Sequence, residues 1–469
     1  MSHERWEAAK RTALWVIERS GIDYSPNTSC FTPGAPYPRS TTPPGATPAV
    51  PDLSAMVTSI YVHIPYCSRK CSFCPFFARA GCAVPDAYVD GIVRHLELVD
   101  RTCALPATFE LRLGGGSPNL LSPVQLGRIV GHFAPSRLEL VNIEVHPECS
   151  AVPGYVASLV ELGVTNLSVG LQSSAGDVLR ATGRGHDPDA LAQLAAQVAV
   201  TPIALNVDIM YGGLREETAA NAALTFRFAF EELRPATVNA YRVGYQRGVP
   251  EHERFIEHPE RYPSTVEVFE ITALLEDTAA ASGYSYLGMG YYGREPAPKP
   301  ALPRLATVGI GAGSYTHVVD LVAGTGLVAF APFDTERYLQ LLARGDLPVE
   351  RAKHFDRDYL DRWAALLDFK ARRPMRHAHF EAGPGARLVD GLAALGLIEG
   401  RSDGSVMTDA GILLEDLLAA LLMPRTLWQE LSRRRRQSAY TPTESRYDWF
   451  FDPDVVLAFL DFVASAPSV

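Results

Sequence analysis

Short apolar runs alternate with helix-forming stretches between residues 59 and 310. The apolar runs have the length of buried strands and are rich in Val, Ile and Leu, whereas several of the stretches between them begin at Pro-Asp or Ser-Pro pairs, which are typical of helix N-termini. A repeated strand, helix, strand pattern predicts a parallel sheet with helices on its faces. The predicted strands are residues 60–64, 109–113, 138–145, 166–171, 203–210, 237–243 and 307–310.

The pattern changes after about residue 350, where helical periodicity predominates around one predicted hairpin at residues 398–407, with a Ser-Asp-Gly turn. We therefore predict an α/β fold: a partial parallel (β/α)6-type barrel, similar to a TIM barrel, with a C-terminal helical domain that resembles a winged helix. The predicted segments are an N-terminal helix and Pro-rich linker (1–55), the partial barrel (56–320), the winged-helix-like domain (321–425) and a helical tail (426–469).

The amino-acid composition and charge of the chain limit the kinds of partner that we expect. The chain has 469 residues and a formal net charge of −10, which gives no electrostatic reason to expect nucleic acid. The sequence shows no signal peptide and no 18-residue apolar span, so we expect a cytoplasmic protein that does not enter a membrane. A monomer that acts on a small molecule is the resulting expectation.

Three cysteines directly after the first predicted strand form the motif Cys67-Ser-Arg-Lys-Cys71-Ser-Phe-Cys74. Three thiolates leave one corner of a [4Fe–4S] cube without a protein ligand, and such an open iron is what a radical S-adenosylmethionine (SAM) enzyme requires. The alternative is a structural zinc site, which needs a fourth ligand such as His63 or Cys82 and usually pairs its thiolates as C-x2-C. We predict a cluster held by the three motif cysteines.

Polar residues and glycines follow most of the predicted strands. The carboxyl ends of parallel strands meet at one edge, where binding and catalytic groups gather. A glycine-rich turn at that edge lets backbone groups approach a ligand closely. The strand-end groups are residues 114–117 (GGGS), Glu144, Gln172, Asp208, Tyr241 and residues 309–314 (GIGAGS). Together they predict a ligand-binding mouth.

From about residue 60 to residue 317 the chain resembles the family of oxygen-independent coproporphyrinogen III oxidase, a radical SAM group that holds two SAM molecules. The motifs that carry the resemblance occur in order along more than half of the chain. They are residues 61–65 (YVHIP), the three cysteines, 114–118 (GGGSP), 142–147 (NIEVHP), 167–173 (LSVGLQS), 183–186 (GRGH), 206–212 (NVDIMYG) and 309–315 (GIGAGSY).

The resemblance implies two SAM sites with separate residues. Their types suit the ligand, since Asp208 can accept from a ribose or an ammonium group and Arg184 can hold a carboxylate bidentately. The implied contacts of the SAM on the cluster are Tyr61, Gly115 and Glu144. Those of the second SAM are Phe73, Gly116, Ser117, Gln172, Arg184 and Asp208, and Tyr241 and Tyr315 fall where the family lines its SAM pockets with other side chains.

One departure from the family decides between its activities. The porphyrinogen decarboxylases carry a further cysteine two positions after the cluster motif, where this chain has Phe76, so decarboxylation is disfavoured. The relatives that remain are the class C radical SAM methylases and methylene-transferases, in which a 5′-deoxyadenosyl radical from the first SAM takes hydrogen from the methyl group of the second. That carbon then adds to an sp2 carbon of a natural product, and loss of S-adenosylhomocysteine leaves a methyl group or a cyclopropane. The protein mainly positions the reactants.

Several further residues are candidates for the chemistry. Tyr61 and His317 are the predicted catalytic residues, His317 as a base for ring closure. A structural histidine and core tyrosines are the alternatives. The predicted substrate-pocket residues are Tyr286, Tyr291, Tyr292 and Arg294.

Two other functions stay open on the resemblance. Some relatives open the haem ring anaerobically, and residues 71–77 fit their Cys-x-Phe-Cys-x-Phe-Phe pattern. Other members with a C-terminal winged-helix region carry haem as chaperones. For the enzyme, the expected partners are a small-molecule substrate, an external electron donor such as flavodoxin or ferredoxin, and a partner methyltransferase.

Overall fold

The computed structural model describes residues 2–25, 52–185, 188–245, 249–294, 304–375, 384–436 and 452–466. Most of the predicted Pro-rich linker and residues 437–451 of the predicted tail lie outside these ranges. Sixteen strands are assigned within the described part of the chain. They are β1 (Val57–Ile64), β2 (Tyr66–Cys67), β3 (Arg79–Ala80), β4 (Phe109–Gly115), β5 (Leu138–Val145), β6 (Asn166–Gln172), β7 (Ala204–Tyr211), β8 (Thr237–Arg242), β9 (Ser285–Gly288), β10 (Tyr291–Gly293), β11 (Arg304–Ile310), β12 (Tyr315–Asp320), β13 (Thr325–Phe330), β14 (Arg351–Phe355), β15 (Ile398–Arg401) and β16 (Gly404–Met407).

Helices alternate with the strands of the barrel and predominate after β14. Among the described helices, none combines the length and apolar character needed to cross a membrane. The α-helices are α1 (Ser2–Ser20), α2 (Asp86–Thr102), α3 (Pro123–Val130), α4 (Tyr155–Glu161), α5 (Gly176–Ala181), α6 (Pro188–Val198), α7 (Ala219–Arg227), α8 (Pro250–Glu257), α9 (Thr265–Ala281), α10 (Thr335–Ala343), α11 (Arg357–Lys370), α12 (Pro384–Ala394), α13 (Asp409–Leu413), α14 (Glu415–Leu421), α15 (Arg425–Arg436) and α16 (Pro453–Ser465).

The main sheet has twelve strands in the order β14-β13-β12-β11-β1-β4-β5-β6-β7-β8-β10-β9. Strands β1, β4 to β8 and β11 run parallel to their neighbours within this set, while β12 to β14 and β9 and β10 extend the two edges in antiparallel fashion. The predicted α/β class with a mostly parallel sheet is confirmed. Pairing of β11 with β1 adds a seventh parallel strand to the six expected β/α units.

Each parallel strand has one apolar and one polar face, because successive side chains point to opposite sides of a sheet. Ile60, Val62 and Ile64 of β1 are buried in the main core together with apolar residues of α2 such as Val89 and Ile92. The opposite face carries polar side chains that bond across strands. These bonds include Ser59 Oγ to Glu110 (2.7 Å), Ser168 Oγ to Asn142 (3.2 Å) and Thr237 Oγ1 to Asn206 (2.7 Å).

A second core joins the two ends of the described chain. Trp6, Ala13 and Val16 of α1 pack in one apolar cluster with residues of α13 to α16, such as Trp428 and Phe459. The predicted hairpin is present as β15 and β16, between α12 and α13. The predicted division into four segments stays a prediction.

Buried charges connect this second core to the barrel. Asp416 of α14 accepts hydrogen bonds from Arg242, at the end of β8, and from Lys370 Nζ (2.7 Å), at the end of α11. Burial alone would raise the pKa of Asp416, but the two cations hold it well below its usual range. Arg242 also donates to the carbonyl of Leu413 (3.1 Å). The mouth end of β8 is therefore attached to the C-terminal helices by charge.

We expect Asp416→Ala to lower the free energy of unfolding by about 3–5 kcal/mol, because it removes the buried anion that Arg242 and Lys370 share and leaves Lys370 with its ion pair to Glu415 (3.2 Å). The matched control is Asp461→Ala, which removes an exposed ion pair with Arg425. It should change the free energy of unfolding by about 0–1 kcal/mol. Urea denaturation of both variants measures the difference. Similar losses in the two variants would show that the Asp416 cluster does not hold the barrel and the helices together.

Candidate functional site

The three motif cysteines lie in the loop that follows β1. The loop is closed by backbone bonds from Arg79 N to Pro65 O (2.8 Å) and from Gly81 N to Cys67 O (2.9 Å). Cys74 N bonds to Cys71 O (3.2 Å), which forms a tight turn between those two ligands. The loop thus folds back on itself beside the end of β1.

The cysteine sulfurs face polar groups of the barrel mouth. Cys67 Sγ lies 3.2 Å from Ser117 Oγ, and Arg184 Nη1 lies 3.9 Å from Cys71 Sγ. Burial raises the pKa of Cys74, and the neighbouring Cys71 and Cys67 add to the rise. Within the described residues no group of three His, Cys, Asp or Glu side chains is arranged closely enough to hold a single metal ion.

The zinc alternative lacks a fourth ligand at this loop. His63 places Nε2 3.1 Å from the carbonyl of Phe77 and Nδ1 3.4 Å from the hydroxyl of Tyr61. Burial lowers the pKa of this histidine to about 4, so the ring is neutral. Cys82 is exposed. Both ring nitrogens of His63 are thus occupied by protein groups, and three cysteines alone fit an iron–sulfur cluster with one open iron.

The glycine-rich turn after β4 provides a cradle that only glycines can form. A Cβ atom on Gly114 would lie 2.5 Å from the carboxyl group of Glu144, and one on Gly116 would lie 2.2 Å from the carbonyl oxygen of Tyr66. Gly115 has a φ of +108°, and a Cβ there would meet the His63 ring at 2.5 Å. The turn therefore lets a ligand approach the backbone next to Glu144 and the cysteine loop.

Glu144 and Asp208 are the two carboxylates of the mouth. Gly115 N donates to Glu144 Oε2 (3.1 Å), and Asn206 Nδ2 donates to Asp208 Oδ1 (2.8 Å). Burial raises the pKa of Glu144 to about 7, and the charge of Asp208 adds to the rise. Burial also raises the pKa of Asp208 to about 6, although Asn206 and Arg184 oppose it. Both groups can therefore ionise fully when a cation binds beside them.

Several polar atoms at this mouth are buried without a hydrogen-bond partner. Arg184 Nη2 donates to Gly170 O (2.5 Å), but its Nε is unpaired. Gln172 adopts a φ of +64° where the register of β6 shifts. The residue is therefore turned away from the regular hydrogen-bond pattern of the strand. The orphaned atoms are Gln172 Oε1, Arg184 Nε and Asn239 Oδ1. Unpaired buried groups of this kind fit a polar ligand such as the amino-acid or ribose part of SAM.

Two tyrosines line the opposite wall. Tyr241 and Tyr291 keep 44% and 41% of their surface accessible while protein atoms surround the rest of each ring, as expected for walls of a concave chamber. Burial raises the pKa of both hydroxyls, and the charge of Asp208 adds to the rise. Tyr291 pairs directly with Asn239, so both face the same side of the sheet. We call the space between these groups the mouth chamber.

The remaining predicted SAM residues have varied surroundings. Tyr61 lies on the polar face of β1, beside His63. Tyr315 is exposed at the start of β12, with its ring centroid 6.3 Å from that of Phe330. Phe73 packs at the edge of a small apolar cluster around Tyr245.

Three of the predicted substrate residues do not face the mouth chamber. Tyr292 lies in the main core and donates to Glu276 (2.8 Å), because it sits on the opposite face of β10 from Tyr291. Tyr286 donates to the carbonyl of Lys370 (2.9 Å) beneath the guanidinium of Arg372. Arg294 donates to the carbonyl of Arg234 (3.0 Å). Only Tyr291 of this predicted set lines the chamber.

His317 is placed in an aromatic cluster. Its ring centroid is 6.1 Å from that of Phe355 and 5.6 Å from that of Trp363, and burial lowers its pKa to about 4. It is directly opposite Thr307 on the sheet. The neutral ring packs against Phe355 and Trp363, which corresponds to the structural alternative rather than to a base within the mouth chamber.

Two residues that line this site were missed from the sequence, namely Arg112 and Asn239. Both lie on the polar faces of strands, between fully buried neighbours such as Leu111 and Leu113 for Arg112. The alternation of Phe-Glu-Leu-Arg-Leu in β4 is the signal that could have identified Arg112.

Comparison with known proteins agrees with this site. Residues 61–219 match the model of the Radical SAM superfamily. The chain carries a radical SAM domain. Proteins with this domain bind a [4Fe–4S] cluster and SAM, which the cysteine loop and the orphaned polar groups fit.

Relatives extend the similarity beyond the radical SAM domain. The chain is 25% identical over 398 residues to a heme chaperone HemW of Mycobacterium tuberculosis, covering 80% of this chain and 97% of the relative. It is 25% identical over 325 residues to the oxygen-independent coproporphyrinogen III oxidase of Pseudomonas aeruginosa, covering 64% and 69%. The solved coproporphyrinogen III oxidase of Escherichia coli shares the fold, with a TM-score of 0.66 and 19% identity over 80% of this chain and 91% of that structure.

We expect Cys67→Ser, Cys71→Ser and Cys74→Ser each to remove the [4Fe–4S] cluster, because the remaining two thiolates cannot hold the cube. The exposed Cys82→Ser is the matched control and should retain wild-type iron and sulfide after anaerobic reconstitution. Iron and sulfide analysis with electron paramagnetic resonance of the reduced protein gives the measurement. A cluster signal that survives in any one of the three motif variants would contradict the assignment.

Proposed function

We propose that this protein is a radical SAM enzyme that holds two SAM molecules and transfers a one-carbon unit from the second SAM to an sp2 carbon of a small-molecule natural product. The product carries a new methyl group or a cyclopropane. The observation that supports two SAM sites is the presence of two polar sets, one at the end of β5 and the other at the ends of β6 and β7. Glu144 lies with the glycine cradle and the cysteine loop, and Asp208 lies with Arg184 and Gln172.

The chain's own residues bind and orient the reactants. When bound, a [4Fe–4S] cluster with one open iron supplies the electron that cleaves SAM reductively. Glu144, whose pKa lies at about 7 without a ligand, accepts hydrogen bonds from a cationic group of the first SAM and ionises as it does so. Asp208 and the unpaired Oε1 of Gln172 accept hydrogen bonds from the second SAM, and the unpaired Nε of Arg184 donates one to it. Because no acid or base is needed to activate a radical, positioning and the exclusion of water are the main contributions.

Phe76 supports one-carbon transfer over decarboxylation. It stands where the porphyrinogen decarboxylases that the chain resembles have a further cysteine, and its side chain is 53% exposed beside the cysteine loop. An exposed aromatic ring offers no thiol. The reaction also needs an electron donor, for which we propose a flavodoxin or ferredoxin, and a partner methyltransferase is a further proposed partner.

The length over which one relative resembles this chain favours haem binding as a second candidate function. The similarity to the heme chaperone covers 97% of that protein, including its C-terminal part. A chaperone needs to bind haem and has no need to cleave SAM. The two functions therefore differ in what happens to SAM, and one assay separates them.

The test uses anaerobically reconstituted protein, dithionite and SAM with a trideuterated methyl group. We expect 5′-deoxyadenosine that carries one deuterium, detected by mass spectrometry, because the 5′-deoxyadenosyl radical takes that atom from the methyl group of the second SAM. Asp208→Ala is the informative variant, because it should still release 5′-deoxyadenosine from the first SAM but without deuterium.

Two results would contradict the proposal. Unlabelled 5′-deoxyadenosine from the wild-type protein would show that the second SAM is not a hydrogen donor. Tight haem binding with no cleavage of SAM would favour the chaperone function.

A further inference from the structure

Arg112 occupies the polar face of β4, directly below the glycine cradle. Its neighbours Leu111 and Leu113 are fully buried on the opposite face, under the helices, so the guanidinium points to the inside of the barrel. In the register of the sheet, Arg112 pairs with Tyr61 of β1 on one side and with Asn142 of β5 on the other. It therefore lies one layer beneath Gly114 and Glu144.

Only one edge of the guanidinium is used by the protein. Arg112 Nε (2.9 Å) and Nη2 (2.8 Å) both donate to the same oxygen of Glu110, which also accepts from Ser59 Oγ (2.7 Å). Nη1 has no hydrogen-bond partner among the described residues, and 41% of the side chain is accessible. The edge formed by Nη1 and the second hydrogen of Nη2 remains open as a two-pronged donor.

The open edge belongs to the mouth chamber. The positive charge of Arg112 opposes the rise in the pKa of Glu144 on β5 and of Tyr291 on β10. These two residues stand on different walls, so the guanidinium is near enough to the glycine cradle and to the tyrosine wall for its charge to act on both. None of the groups already assigned to SAM requires it, since the second polar set has its own arginine, Arg184.

We propose that Arg112 binds a carboxylate of the substrate and orients the substrate's reacting carbon between the two SAM sites. The inference rests on the proposed function and names its substrate class: an aromatic or conjugated acid. A planar guanidinium with one open edge matches a carboxylate bidentately, which a lysine cannot do. Tyr241 and Tyr291 provide the flat walls that an aromatic or conjugated body would contact.

The test measures binding of benzoate and of benzamide, its neutral analogue, to the reconstituted protein loaded with SAM and kept oxidised, so that no SAM is cleaved. We expect benzoate to bind about tenfold more tightly than benzamide, as for a charge-assisted bidentate pair. Arg112→Gln should abolish this preference, and Arg112→Lys should restore part of it. Ligand-observed NMR titration gives the dissociation constants.

The matched control is Arg128→Gln on α3, an arginine with the same 41% accessibility that is paired with Asp90 on the outer surface. It should leave the benzoate preference unchanged. Equal binding of benzoate by the wild type and Arg112→Gln, or no preference in the wild type, would overturn the proposal. A loss of SAM binding in Arg112→Gln, measured by equilibrium dialysis, would assign the residue to a SAM site instead and would also overturn it.

Failure of the carboxylate site and failure of the proposed function give different results. If the wild type shows the Arg112-dependent preference for benzoate but transfers no deuterium from labelled SAM, the carboxylate site stands and one-carbon transfer fails. If deuterium is transferred but the wild type shows no preference for benzoate, one-carbon transfer stands and the carboxylate site fails.

Discussion

The alternation of side chains along parallel strands is the constraint on which the rest of the structure depends. Each parallel strand of the barrel buries one face under helices, so the polar residues of the other face are directed to the inside. There the polar groups are removed from bulk water and must find partners, which Glu110, Asn142 and Asn206 do across neighbouring strands. Those that do not, such as Gln172 Oε1 and Arg184 Nε, remain available to a ligand. A ligand site thus results from incomplete pairing within an otherwise satisfied polar interior.

The C-terminal helices contribute to the same site from outside. Arg242 follows Tyr241 on β8 and is bound to Asp416, while the carbonyl of Lys370 accepts from Tyr286 in the hairpin that carries Tyr291. The strands that carry Tyr241 and Tyr291 are therefore both attached to one group of buried charges. Removing charges from water is unfavourable unless they are paired well, so the cluster is stable only when the helices are seated on the barrel. In this way the packing of the C-terminal helices, at a distance from the reacting groups, fixes the position of the tyrosine wall opposite Glu144.

Much of the fold follows from local sequence, and much of the site does not. The seven parallel strands and the hairpin at residues 398–407 are predictable, because apolar runs, helix-start pairs and a Ser-Asp-Gly turn act over short distances. The orientations of Tyr286 and Tyr292 are not, since a register shift next to Tyr291 and contacts with Lys370 and Arg372 decide them. His317 was predicted as a base from its place after a glycine turn, but its surroundings come from α11 and β14, far along the chain. Arg112 was missed because the alternation in β4, which places it on the face opposite Leu111 and Leu113, does not show what that face encloses.

The central claim is that one mouth chamber holds two SAM molecules on two separate polar sets. An anaerobic crystal structure of the reconstituted protein with SAM tests it most directly. The account predicts two SAM molecules, one between the cysteine loop, Gly115 and Glu144, and the other against Gln172, Arg184 and Asp208. A single SAM on the cluster, with the second polar set holding water or a haem, would contradict it.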